Sequence, residues 1–256
     1  MSEKLTSQQT AIKESFIRER GYWSTEIWDD LLHLDPDFLE AYLKFSAIPF
    51  KANHSYIDLK TKEFIYIAFD VAATHMYQPG TRQHMQNALG YGATPEEIME
   101  VIELASVLGI HTTNLGSPIL MQVLAEQGNP VVTQLTTRQQ ELKQAFIDER
   151  GYWSEMWDSV LLLDPDFLEA YLEFSSVAFR HNYLDPKIRE FIGIAVDAAA
   201  THMYEPGVRV HIQNAVKSGA SKEEIMEVLE LTSTLGIHAA TVSVPILADL
   251  INKKDK

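Results

Sequence analysis

The chain contains no cysteine. That absence excludes disulfide scaffolds, Cys-ligated zinc, iron–sulfur clusters and every reaction that needs a thiol nucleophile. Positive charge is scarce: 21 Lys+Arg stand against 36 Asp+Glu, a formal net charge of −15 at pH 7. A phosphate-binding surface needs clustered Lys and Arg. The one basic run is Lys253-Lys254 at the C-terminus, so no nucleic-acid partner is expected. No uninterrupted stretch of about 18 apolar residues occurs, so no membrane span is expected. Met1-Ser2-Glu3-Lys4 lacks an apolar signal core, which points to a cytoplasmic protein. No convincing run of strand-like alternation is present, because Val131-Val132 and Val242 are too short and sit next to Pro or Ser. What is abundant is apolar residues, 46% of 256, enough for one large domain or two ordinary ones and too many for a disordered chain.

The chain is written twice. Ile17-Arg18-Glu19-Arg20-Gly21-Tyr22-Trp23-Ser24 is echoed by Ile147-Asp148-Glu149-Arg150-Gly151-Tyr152-Trp153-Ser154, and Leu34–Leu43 by Leu163–Leu172. From Asp58 and Asp185 onward the register is constant, and about 39 of the 63 paired positions are identical. We therefore expect two tandem units, 1–130 and 131–256, joined at Gly128-Asn129-Pro130, a helix stop followed by a turn. Both read as helical. Asp35-Pro36, Asp164-Pro165, Asp58 and Asp185-Pro186 are N-cap signals, and Thr94–Glu97 and Ser221–Glu224 are capping boxes. Apolar residues between the caps recur at three- and four-residue spacing. The expected class is all-α, two similar bundles of about five to seven helices each.

Six of the nine histidines form repeat pairs: His75/His202, His84/His211 and His111/His238. Upstream, Glu63, Asp70 and Thr74 fall within about 20° of one line on a helix turning about 100° per residue, and Glu190, Asp197 and Thr201 do the same. An aspartate inside the apolar run Phe64–Ala73 needs a partner, and the nearest candidates are Arg82 and the histidines of the next helix, with Arg209 in the second copy. A single such histidine is more often a cap or a buried hydrogen bond; the recurrence of the whole Glu–Asp–Arg–His set points to a site. Phe64, Met76, Met85 and Met99 read as core filler, and Gly21-Tyr22-Trp23 with its copy as a loop anchor. His75 and His84 are separated by Pro79-Gly80 and lack the spacing of a metal pair on one helix face, so no metal is expected, although the two could converge with Glu63 and His111. No nucleophile elbow or phosphate loop is present.

At Arg209-Val210-His211-Ile212-Gln213-Asn214-Ala215, Gly219-Ala220-Ser221, Glu223-Glu224-Ile225 and Leu235-Gly236-Ile237-His238, and at Arg82, His84, Gly92-Ala93-Thr94 and Leu108-Gly109-Ile110, the sequence resembles the carboxymuconolactone decarboxylase family of the alkylhydroperoxidase-like helical superfamily. The resemblance covers about 60 residues per copy. The peroxidase branch carries Cys-x-x-Cys-x-x-x-His. Counted back from His84 and His211, those cysteines would fall at Tyr77, Gly80, Tyr204 and Gly207, so thiol peroxidase chemistry is excluded. Glu63 and Glu190 stand about two residues earlier than that branch's glutamate. The decarboxylase branch implies a lyase or isomerase that needs no cofactor and acts on a small organic acid or lactone. The resemblance implies His84 and His211 as general acids, Glu63 and Glu190 tuning them, and Arg82 and Arg209 orienting an anionic substrate. His75, His202, Asp70, Asp197, His111 and His238 would line the pocket. The alternatives are a non-catalytic ligand-binding or assembly protein of the same fold, and a metal enzyme using the paired histidines. Because single-copy relatives form rings of three or six, a fused pair implies a homotrimer, with a dimer as the second expectation.

Overall fold

The structure, a computed structural model, describes residues 4–254. The first copy supplies α1 (Ser7–Arg20), α2 (Thr25–Leu34), α3 (Pro36–Ser46), α4 (Leu59–Val71), α5 (Gln78–Gly90), α6 (Pro95–Ser106) and α7 (His111–Glu126). The second supplies α8 (Thr137–Arg150), α9 (Asp158–Leu163), α10 (Pro165–Ser175), the short α11 (Val177–His181), α12 (Pro186–Ala198), α13 (Glu205–Lys217), α14 (Lys222–Ser233) and α15 (His238–Lys254). No strand occurs among the described residues.

The sequence signals act where they stand. Asp35, Asp164, Asp58 and Asp185 each accept a backbone N–H in the first turn of the helix they open. Thr94 with Glu97 and Ser221 with Glu224 form reciprocal capping boxes on α6 and α14. Gly21 and Gly151 close α1 and α8 at φ +80° and +77°, a conformation that costs other residues a clash at Cβ.

The helical hairpins α4–α5 and α12–α13 form the centre, with α4 and α12 packed against each other. The two copies do not keep separate cores. Ile65, Tyr66 and Phe69 of the first share one cluster with Phe191, Ile194 and Leu231 of the second. Phe64, Ile67 and Val101 share another with Leu184, Ile192 and Val196. Each outer cluster also takes one residue from the other copy, Ile237 beside Phe16 and Trp28, and Ile110 beside Phe146 and Trp157. Each fully buried large side chain in these clusters contributes about 2–3 kcal/mol, so much of the stability of either copy depends on the other.

Two buried ion pairs cross the same seam at equivalent positions. Lys62 meets Glu227 at 2.7 Å, and Arg189 meets Glu100 at 2.6 Å. Glu227 also accepts the backbone N–H groups of Tyr56 and Ile57, and Glu100 those of Tyr183 and Leu184. Such pairs repay their desolvation only when the remaining lone pairs are bonded in this way.

Two expectations need correction. Met76 and Met99 are exposed rather than core, Met76 because it sits at φ +54° in the turn after α4. Thr74 and Thr201 lie beyond the ends of α4 and α12, so the helical line of three residues stops at Asp70 and Asp197. The helical run 222–253 is long enough, and apolar enough on average, to cross a membrane. It is broken by the tighter turn Thr234–Ile237, and its first half inserts Ile225, Val228 and Leu231 into the core.

Candidate active site

α4 is buried from Thr61 to Asp70, and α12 through most of its length. A carboxylate on such a helix cannot reach water and must find partners on α5 or α13. Glu63 and Glu190 do. Glu63 Oε2 lies 2.6 Å from His84 Nδ1, and Glu190 Oε2 lies 2.7 Å from His211 Nδ1. With a glutamate oxygen as acceptor, Nδ1–H donates and Nε2 is the ring nitrogen left for other partners. In the second copy Nε2 of His211 points toward Asp197, whose Oδ2 is 3.7 Å away. Burial works against a charged His211. The hydrogen bond and field of Glu190, with the field of Asp197, outweigh it and raise the imidazole's pKa above the ordinary 6.5.

Asp70 and Asp197 are the next layer. Burial holds both carboxyls above the usual carboxylate range, Asp197 at about 7. Neither carboxyl oxygen of Asp70 has a hydrogen-bond partner among the described residues. Their tight fit depends on glycine: a Cβ on Gly80 would stand 2.2 Å from Asp70 Oδ2, and one on Gly207 1.8 Å from Asp197 Oδ2.

The remaining histidines are exchanged between the copies. His238, at the start of α15, lies 2.6 Å from His75 Nε2 and 3.7 Å from Asp70 Oδ1. His111, at the start of α7, lies 2.7 Å from His202 Nε2 and 3.5 Å from Asp197 Oδ1. Thus His111 does not join Glu63 and His84; it completes the other site. Tyr77 stacks on His238 at 3.8 Å and Tyr204 on His111 at 3.9 Å. Desolvation lowers the pKa of both exchanged histidines to about 3, so each pair is a neutral N–H···N bond. Asp70 with His75 and His238, and Asp197 with His111 and His202, are the two sets that could hold a metal ion. Their ring nitrogens stand at hydrogen-bond distance from each other, closer than the ~3.3 Å between two nitrogens on one tetrahedral zinc with bonds near 2.0–2.1 Å.

Arg82 and Arg209 do not reach either site. Each precedes its histidine by two residues, about 200° around the helix, and so faces solvent; Arg209 pairs with Glu205 on its own helix. The arginines near the sites are Arg189 on α12 and the last residues of α1 and α8, Arg20 and Arg150, which stand just before the segments read from sequence as loop anchors. Arg20 donates to the hydroxyl of Tyr66. Arg150 lines a cavity of about 90 Å³ with Tyr152, Arg189, Glu190, Asp197, His111 and His211.

The pattern of the carboxymuconolactone decarboxylase family matches the chain over residues 36–124 and again over 165–248. The chain belongs to the carboxymuconolactone decarboxylase family. A crystal structure of a Burkholderia xenovorans LB400 protein, provisionally described as a gamma-carboxymuconolactone decarboxylase subunit, superposes with a TM-score of 0.91 at 46% identity, covering 96% of this chain and 98% of that one. No curated protein matches the chain. The two family matches contain both Glu–His pairs and both His–His–Asp sets. They do not contain Arg20, Tyr22, Arg150 or Tyr152, which each copy adds from the segment before its family match.

Proposed function

We propose that this protein is a lyase or isomerase that uses no cofactor and acts on a small organic acid or lactone, with His211 as general acid held by Glu190. The observation that carries the reading is the second-copy cavity. It brings together an imidazole whose pKa is raised by a bound carboxylate, a carboxyl whose pKa is raised to about 7 and a guanidinium. In a decarboxylation, the bond from carbon to the carboxylate breaks and CO₂ leaves. The electron pair passes into a conjugated carbonyl, and Nε2–H of His211 returns a proton to carbon. In an isomerisation the neutral Nε2 of His211 would take a proton from one carbon and return it to another. The anionic group would rest on Arg150, and the local cation counters the long-range repulsion of a −15 chain, which salt screens beyond about 8 Å. Glu63–His84 repeats the acid pair in the first copy, with Asp70, His75 and His238 in the place of Asp197, His202 and His111.

The test is a screen of small lactones and unsaturated acids for CO₂ release or isomerisation. The double variant His84→Ala, His211→Ala should lose at least a hundredfold in turnover; a loss below tenfold defeats the assignment.

Assembly into a homotrimer is part of the same reading. The relative in Burkholderia is called a subunit. Here Leu115, Ile119 and Val123 on α7, and Val242, Ile246 and Leu250 on α15, are exposed apolar stripes of the kind that mark contact surfaces. A native mass of about one chain would refute it.

A further inference from the structure

The constant register that pairs Glu63 with Glu190 also pairs Tyr66 with Gly193. This difference falls at the most sensitive point of the site. In the first copy the Tyr66 ring lies flat on His84, with centroids 4.3 Å apart and planes 9° from parallel. Its hydroxyl accepts from Arg20 at 3.0 Å, and a second nitrogen of Arg20 reaches the carbonyl of Ser46 at 3.5 Å. Tyrosine and arginine therefore bond to each other and fill the face of the histidine, although Nε of Arg20 finds no partner among the described residues. In the second copy no side chain stands there, and a Cβ on Gly193 would already press to 2.5 Å from the His211 ring. The cavity opens at this point.

The absent tyrosine also leaves Arg150 without its counterpart's partner. Its guanidinium donates to the hydroxyl of Ser175 and stacks on Phe179 at 4.1 Å, as Arg20 does on Phe50 at 4.4 Å. No carboxylate pairs with it among the described residues, whereas neighbouring Arg189 is neutralised by Glu100. Arginine cannot shed its proton, so a half-buried guanidinium that lines a cavity without a carboxylate partner offers a seat for an anion.

We infer that the two copies have divided their roles: the first is a closed copy sealed by Tyr66, and the second alone binds ligand, one small monocarboxylate per chain, seated on Arg150 beside His211. The cavity's ~90 Å³ is smaller than the ~150 Å³ of a cavity that takes benzene, which fits an acid of about four or five non-hydrogen atoms. The inference rests on the reading of this pocket as a small-acid site, and its test measures binding so that the two fail separately.

Acrylate, with neutral acrylamide as control, is titrated into the full-length protein by calorimetry while histidine ring signals are followed by NMR. One equivalent of acrylate should bind per chain, acrylamide should not, and the signal of His211 should move while that of His84 stays. Arg150→Gln should weaken binding at least ~30-fold. Tyr66→Gly should raise the stoichiometry from one to two. Two equivalents on the wild-type protein, or movement of His84 with His211, overturns the division whether or not Tyr66→Gly folds. No binding, or binding indifferent to Arg150→Gln, overturns the anion seat. One bound equivalent without turnover of any substrate leaves this inference standing and removes the proposed reaction.

Discussion

Replacing Glu190 by Gln tests the central electrostatic argument in one step. Glutamine is nearly isosteric and still accepts from Nδ1 of His211, but it carries no charge. A hydrogen bond to a charged group contributes about 1.5–3 kcal/mol. At about 1.36 kcal/mol per pKa unit, losing the charge lowers the imidazole's pKa by about 1–2 units. In the wild-type protein Glu190 and Asp197 hold that pKa above 6.5 against burial. In the variant burial acts with less to oppose it, so the imidazole's pKa falls by that interval and the protonated fraction of His211 at pH 7 falls with it. The measurement is an NMR titration of the histidine rings, with the alkaline limb of the pH–rate profile shifting down by the same interval. Stability follows with a definite sign. A histidine with a raised folded pKa adds stability that is full below the unfolded 6.5 and is lost as pH rises through the folded value. His111 and His238, lowered by desolvation, act the opposite way. The difference in Tm between variant and wild type removes those shared terms and should grow in the variant's favour as pH rises through 6.5. A His211 that titrates at or above its wild-type value in Glu190→Gln refutes the reasoning.

Breaking a buried cross-copy pair should be costly in a way that a second change reverses. Glu227→Gln leaves the ammonium of Lys62 unpaired and should cost about 3–5 kcal/mol in urea unfolding, while adding Lys62→Met should recover most of it. Gly207→Ala must displace the Asp197 carboxylate and should cost about 1–3 kcal/mol, with the pH profile altered as well as Tm. If the His75–His238 and His111–His202 pairs are bonded to each other rather than to an ion, purified protein should carry less than about 0.1 equivalents of transition metal. One or two equivalents that vanish in His75→Ala and His202→Ala would contradict this.

The caps, the helical class and the duplication were legible because each rests on short-range chemistry: an Asp before a Pro, a Ser three residues before a Glu, a motif met twice. The convergence of Glu63 with His84 and of Glu190 with His211 was also within reach, since helical spacing aims both carboxylates along one face toward the next helix. What was not legible is any contact that depends on how the copies face each other. Nothing local in Leu108-Gly109-Ile110-His111 says that its histidine serves the other copy. Arg82 and Arg209 drew attention because they recur beside a histidine, yet recurrence is blind to the 200° that turns them outward. Arg20 and Arg150 were passed over because they end helices whose basic last turn is explained by the helix dipole alone, and because the aromatic residues that follow look sufficient by themselves. Tyr66 and Gly193 were missed for a different reason: the comparison of copies weighed identities, and the informative position is one where they differ.

The exchange of His111 and His238 has a genetic consequence. Were each copy a separate chain, two of them would have to meet face to face, and any substitution would appear on both sides of the pair at once. Closing one site would close its twin. Joining the copies end to end places the two faces under separate codons while keeping the contact between them. A tyrosine can then enter one side and a glycine the other, so the fusion is what permits a two-fold symmetric pair to become an unequal one.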